Sequence, residues 1–235
     1  MKVVAILQQR MGSTRLKGKA LLPLAGKSMT ENIIERVKRA KRLDHVVLAV
    51  PPQDENAFSA MPCRVHAPLV DENDLVARYL TVAERCHADI IVRVPCDNPC
   101  IQPEFIDKAI EDYLDTPHIF YSNTTDMVRS YYGGVGEWRW VDGIGAEVFS
   151  MSRLKWLDRI SKGRPDYREH PHKYFLDKFL DNEYPECGIT FGKTSCNYRL
   201  DVNTQEDYDF IAGIYEMFGH NNFHVNDVLA YLESK

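Results

Sequence analysis

Lys2-Val3-Val4-Ala5-Ile6-Leu7 runs without a break into Gln8-Gln9-Arg10-Met11-Gly12-Ser13-Thr14-Arg15-Leu16-Lys17-Gly18-Lys19. The first part is a short apolar run rich in β-branched residues, which predicts a buried strand over about 2–8. The second part collects two glycines and the cations Arg10, Arg15, Lys17 and Lys19 just past the strand's carboxyl end. Ligands of open α/β sheets bind in that position. Glycine lets backbone come close to a ligand, and N–H groups with Arg forks suit a polyphosphate. The competing reading is a solvated basic loop. Two familiar phosphate motifs do not fit. Five residues separate Gly12 from Gly18 and Ala20 follows Lys19, so the P-loop spacing and its magnesium-binding hydroxyl are missing. No GxGxxG fingerprint is present.

Outward from this stretch, apolar runs alternate with amphipathic ones, which predicts an α/β sheet with crossover helices. Ser28 and Glu31 form a capping box, and Ile33, Ile34, Val37 and Ala40 share one helix face beyond it. His45–Val50 reads as a second strand. Leu75, Tyr79, Ala83 and Cys86 keep helical spacing, and Ala88–Val94 reads as a buried parallel strand. Pro103 starts a helix to about Leu114. Short strands are expected near 119–122, 146–149, 188–191 and 197–202, with a helical region over 153–185 between the second and third. Thr204 caps a helix to about Phe218, and Val225–Glu233 forms a last one.

The 235 residues suit one domain with a small appended element. A net charge of −5 argues against a protein that coats nucleic acid. The opening apolar run is too short for a signal peptide and no stretch reaches membrane-span length, so a cytoplasmic protein without a membrane partner is expected. The six cysteines lack CxxC spacing, and buried reduced thiols are expected rather than zinc or disulfides.

Three further groups carry potential chemistry. Asp97 follows the 88–94 strand, braced by Pro95 and Pro99. It could hold magnesium against phosphate oxygens or serve as a turn or capping residue. Asp201 and Asn203 alternate along a strand end and so point the same way; they could complete a metal site, or Asn203 could simply precede the helix. Arg168-Glu169-His170-Pro171-His172 has no zinc-protease spacing and no companion nucleophile, so a structural or acceptor-contacting role is expected.

Residues 5–24 resemble the signature of the CMP-sugar-acid synthetase superfamily, which includes CMP-sialate and CMP-Kdo synthetases. The likeness is greatest to spore-coat-polysaccharide-type cytidylyltransferases. That branch is similar in order along nearly the whole chain, through Asp74-Leu75-Val76-Ala77-Arg78-Tyr79, Asp97-Asn98-Pro99, Ala146-Glu147-Val148-Phe149, Arg168-Glu169-His170 and Val202-Asn203-Thr204-Gln205-Glu206-Asp207. The resemblance implies a Rossmann-like, mixed and mostly parallel sheet, with a projecting dimer or lid element near 120–145. It implies CTP as donor, a small anionic acceptor, and a homodimer. It further implies catalytic roles for Arg10, Arg15 and Lys19 on the CTP phosphates, and nucleotide contacts from Gln8, Gly12, Ser13, Asp74, Arg78 and Asp97. Mg²⁺ is assigned to Asp97 and Asp201, and the acceptor to Glu147, Arg168 and His170. The chain departs from the pattern at Lys17, where proline is usual, at Asn203, where aspartate is usual, and at Gly143-Ile144-Gly145-Ala146-Glu147, which replaces Gly-Leu-Asp-Val-Glu. Two other functions compete: a sugar-1-phosphate nucleotidyltransferase using another triphosphate, whose Ala-Gly-x-Gly-Thr-Arg loop is absent here, and a non-catalytic nucleotide-binding homologue.

Overall fold

A computed structural model describes residues 1–115, 120–122, 141, 143–180, 187–189 and 198–234. The opening run forms β1 (Val3–Gln8), flanked on both sides by parallel partners, β4 (His45–Ala49) and β6 (Ile90–Pro95). β5 (Arg64–His66) extends the sheet beyond β4 in parallel. On the other side β8 (Glu147–Ser150) runs antiparallel to β6, followed by β7 (Phe120–Ser122) and β9 (Cys187–Ile189). The seven strands lie in the order β5-β4-β1-β6-β8-β7-β9. This is the expected Rossmann-like α/β sheet, mixed and mostly parallel. The parallel strands step from β1 to β4 and β5 on one side, and the chain then crosses back to β6 on the other side of β1, so the switch point lies between β1 and β6, where ligands bind.

Each face of the sheet carries helices. Val3, Ala5 and Leu7 face one core, with Ile90, Val92 and Val94 beside them; Val4, Ile6 and Ile91 face the other. This period-two division follows from the pleat. The first face packs α1 (Met29–Val37), α4 (Pro103–Asp115), α8 (Gln205–Phe218) and α9 (Val225–Glu233). The second packs α3 (Leu75–Arg85), α5 (Met151–Ile160) and α7 (Pro171–Leu180). A short α2 (Glu55–Phe58) precedes β5, and α6 (Pro165–Glu169) lies between α5 and α7. The capping boxes at Ser28 and Thr204 are both formed.

The expected loop 9–27 contains a 3-10 turn, Lys19–Leu21, and a small hairpin of β2 (Pro23–Leu24) and β3 (Lys27–Ser28). The helical region 153–185 is broken into α5, α6 and α7 at Pro165 and Pro171, because proline has no N–H to continue a helix. Of the strand expected over 197–202, the described residues 198–202 show a single bridge at Arg199. Most of the element expected near 120–145, including Gly133-Gly134-Val135-Gly136, lies outside the described residues. Cys63, Cys86, Cys96 and Cys100 are free thiols; burial pushes Cys63 up to about 11 and Cys100 up to about 12, which keeps both protonated. Among the described residues no helix is long and apolar enough to cross a membrane.

Candidate active site

Gln8 and Pro95 are register partners at the carboxyl ends of β1 and β6. The basic loop and the Asp97 turn therefore leave the sheet side by side. Between them opens a cavity of about 290 Å³, lined by the loop, the start of α3, the end of β6 and residues 169, 170 and 203.

The loop's conformation is fixed from below. Gln9 is buried and donates to Thr30 Oγ1 and to the Cys96 carbonyl, each at 3.1 Å, tying the end of β1 to α1 and to the β6 turn. Met11 N donates to Asp54 at 2.8 Å. Gly18 has φ +65°, a left-handed conformation that L side chains disfavour, and it turns the chain into Lys19–Leu21. Lys19 Nζ donates to the Val202 carbonyl at 2.8 Å and stands 3.7 Å from Asp97. Arg15 donates to Asn203 Oδ1 at 2.8 Å, and Arg10 to Asn73 at 3.2 Å. Three cations are thus held on one rim of the cavity with neutral acceptors taking part of their donor capacity.

The opposite wall comes from α3 and β6. Arg78 is buried; it donates to Gln8 Oε1 at 3.2 Å and to the Glu72 carbonyl at 2.8 Å. Burial pulls its guanidinium below the ordinary value, with Glu72 acting against the shift. Arg93 donates through Nη1 to Glu147 at 2.7 Å, across the β6–β8 register pair. Burial opposes the Arg93 charge, but the carboxylate of Glu147 outweighs it and holds the pKa above the ordinary guanidinium value. His170 and His172 flank this pair, with ring centroids 5.9 Å apart. Burial depresses both, His172 further, and Arg93 adds to the effect, so both imidazoles are neutral at pH 7.

The cavity brings together Gln8, Arg10, Gly12, Ser13, Arg15, Lys19, Arg78, Asp97, His170 and Asn203. Four expected site residues do not line it. Asp74 caps α3 by accepting from Ala77 N at 2.9 Å and pairs with Arg168 at 2.6 Å. Arg168 also pairs with Asp158 at 2.7 Å, so its guanidinium knits α3, α5 and α6 together. Glu147 stands behind Arg93. Asp201 is only 3% exposed, and both its oxygens accept hydrogen bonds, from Arg199 and from Asn203 Nδ2. Its neighbour Asn203 is the member of that pair that faces the cavity. Among the described residues no group of three His, Cys, Asp or Glu side chains is placed to hold a metal. Sequence reasoning passed over Arg93, although one charge inside an otherwise apolar strand is a visible signal.

The sequence profile of the cytidylyltransferase family matches residues 4–227, almost the whole chain. The chain belongs to the cytidylyltransferase family. A solved cytidylyltransferase from Leptospira borgpetersenii has the same fold, with a TM-score of 0.85 and 27% identity, covering 100% of this chain and 94% of that one. The spore coat polysaccharide biosynthesis protein SpsF of Bacillus subtilis is 27% identical over 92% of this chain and 88% of its own. A 3-deoxy-manno-octulosonate cytidylyltransferase of Geobacter sulfurreducens is 34% identical, but over 56% of this chain and 53% of its own. This cytidylyltransferase is thus a CTP-dependent nucleotidyltransferase of the CMP-sugar-acid synthetase superfamily.

Proposed function

We propose that the enzyme transfers CMP from CTP to a small anionic acceptor, with release of pyrophosphate, in surface polysaccharide or related biosynthesis. The carrying observation is the cavity at the β1–β6 switch point, with Arg10, Arg15 and Lys19 on one rim and Asp97 beside Lys19. The spore-coat-type branch is favoured because likeness to SpsF runs over 92% of the chain, against 56% for the octulosonate enzyme.

An oxyanion of the acceptor attacks the α-phosphorus of CTP. The new P–O bond joins CMP to the acceptor, the α–β bridging P–O bond breaks, and its electron pair leaves on pyrophosphate. The protein's share is positioning and charge neutralisation. Arg10, Arg15 and Lys19 meet the charge that grows on the leaving group. Because Lys19 is held by the Val202 carbonyl, its ammonium is already in place when CTP arrives. Gln8, Gly12, Ser13 and Arg78 line the nucleotide's share of the cavity.

The residues fit magnesium in one mode. Mg²⁺ is commonly held by one or two carboxylates together with substrate phosphates. Asp97 offers a partly exposed carboxylate on the cavity wall, whereas Asp201 has both oxygens occupied by hydrogen bonds. Asp97 is therefore the residue to hold an ion that comes with CTP, and the ion supplies neutralisation of phosphate oxygens. The test is pyrophosphate release with CTP, magnesium and acceptors of sugar-acid, phosphate-monoester and phosphonate type. Release with one class identifies the acceptor; release from UTP or GTP in preference to CTP overturns the reading.

A further inference from the structure

Of the three rim cations, Arg15 alone shares its charge with no carboxylate among the described residues. Arg10 stands 3.6 Å from Glu72, and Lys19 stands 3.7 Å from Asp97. Arg15 instead donates from Nη2 to Asn203 Oδ1 at 2.8 Å, a neutral acceptor 188 positions away in the chain. This anchor holds the guanidinium at the cavity rim and leaves its charge for the phosphates. An exposed arginine held by nothing would have to be ordered by the ligand, at a cost in side-chain entropy.

An amide is a dependable acceptor only if it cannot turn over. Half a turn exchanges Oδ1 for Nδ2, and Nδ2 would meet Arg15 donor to donor. Asp201 decides the orientation. It is buried, and its Oδ2 accepts from Asn203 Nδ2 at 2.5 Å. A carboxylate paired with arginine only accepts, and a guanidinium only donates. Asn203 stands between the two, so its nitrogen must face Asp201 and its oxygen must face Arg15. Arg199 closes the other end, donating from Nε to Oδ1 of Asp201 at 3.0 Å and from Nη2 to Oδ2 at 2.6 Å. It supplies the cation that a buried carboxylate needs. Polarity thus runs in one direction from Arg199 through Asp201 and Asn203 to Arg15.

The same pair accounts for the amide at 203, where the family resemblance leads to an expected aspartate. An aspartate there would set two carboxylates against each other and would give Arg15 a full ion pair. We propose that Asp201 is a positioning residue. It fixes the polarity of the Asn203 amide, and through that amide it gives Arg15 a neutral anchor, so that the guanidinium is in place for the β- and γ-phosphates of CTP. The proposal rests on the cytidylyl-transfer reading above. It gives Asp201 a role toward the nucleotide without contact to the nucleotide or to a metal.

The test is calorimetric titration of the full chain, in magnesium, with CTP and with CMP, which lacks the phosphates that Arg15 is placed to meet. Wild type should bind CTP more tightly than CMP. Arg15→Ala should weaken CTP about 10- to 100-fold, the range for a lost charge-assisted hydrogen bond, and leave CMP within about threefold. Asp201→Asn should weaken CTP about 3- to 10-fold, the scale of one neutral hydrogen bond, and likewise spare CMP. In Arg15→Ala/Asp201→Asn the two losses should not add, because Asp201 acts only through Arg15. Asn203→Ala is the second variant, and it carries the test if Asp201→Asn does not fold. It cuts the link while keeping the Thr204 cap and the Arg199–Asp201 pair, so it should match Asp201→Asn and be equally without effect once Arg15 is removed. Additive losses, which a magnesium ligand or a merely structural residue would give, overturn the proposal. So does unchanged CTP affinity in any of the folded single variants, or equal weakening of CTP and CMP. Wild type that binds CTP no more tightly than CMP is a different result; it overturns the cytidylyl-transfer reading, and this inference falls with it.

Discussion

Lys19 and Arg15 make the sharpest single-residue demands. Each is oriented by a neutral acceptor, the Val202 carbonyl or Asn203 Oδ1, so each is in position without being neutralised in full. Lys19→Ala and Arg15→Ala should each lower kcat by the equivalent of roughly 2.7–4 kcal/mol, the scale for removing one preorganised donor. Circular dichroism and melting temperature should be little changed. Normal turnover in either variant removes the loop from the chemistry. Asn203 offers a second test. It is the cavity-facing member of a hydrogen-bonded pair with buried Asp201, at a position where the family resemblance leads to an expected aspartate. A carboxylate there adds a second one to the cavity wall with Asp97, and a hard anionic ligand favours magnesium. Asn203→Asp should therefore bind Mg²⁺ measurably without CTP in a calorimetric titration, and wild type much more weakly. Identical isotherms would place the metal elsewhere.

At the scale of elements, the strand–loop unit at the N-terminus was the most legible part of the chain. Lys2–Leu7 has no polar residue after its first and leads into a segment of glycines and cations, so both β1 and the basic rim could be read locally. The placement of Asp97 was legible because prolines bracket it at a strand end, and it lines the cavity. The burial of Asp201 was not. Alternation places Asp201 and Asn203 on one side, but whether a side chain faces solvent or a buried partner depends on residues distant in sequence. Likewise the resemblance implies a nucleotide contact for Asp74, and its engagement by Arg168, 94 positions away, is a tertiary fact. The same holds for Gly143. It has φ +89°, and a Cβ there would come within 2.6 Å of the Leu200 carbonyl carbon and 2.8 Å of Asp201 N. The close approach of these two segments sets the backbone that carries Val202 and Asn203. Gly143→Ala should displace that segment, lowering stability by about 1–3 kcal/mol through overpacking and lowering kcat as well. A denaturant melt with parallel kinetics checks it, and unchanged values in both show that the approach is not needed.

For the whole molecule, the buried histidines link stability to pH. The folded protein holds His172 and His170 below the ordinary value of 6.5, through burial first, with Arg93 adding to it and Glu169 acting against it at His170. The unfolded chain therefore takes up protons at a higher pH than the native one. Their stabilising contribution is complete above about pH 6.5 and is lost as pH falls from there toward the folded pKa. Melting temperature should fall between pH 7.5 and 5, as unfolding free energy drops by at most about 1.4 kcal/mol per pH unit for each histidine. His172→Gln should flatten that slope; an equally steep profile in the variant assigns the acid sensitivity to other groups.

The proposed function requires that the β1–β6 cavity take CTP, with its cations on the phosphates and Asp97 on the magnesium that comes with it. The direct measurement is a thermal-unfolding series of the full chain with magnesium and each of CTP, UTP, GTP and ATP. At a concentration 100 times its dissociation constant, CTP should stabilise the fold by about 2.7 kcal/mol, the other three should do much less, and Lys19→Ala should weaken the CTP response. Equal shifts from all four nucleotides, or no shift with CTP, mean that the cavity is not a CTP site.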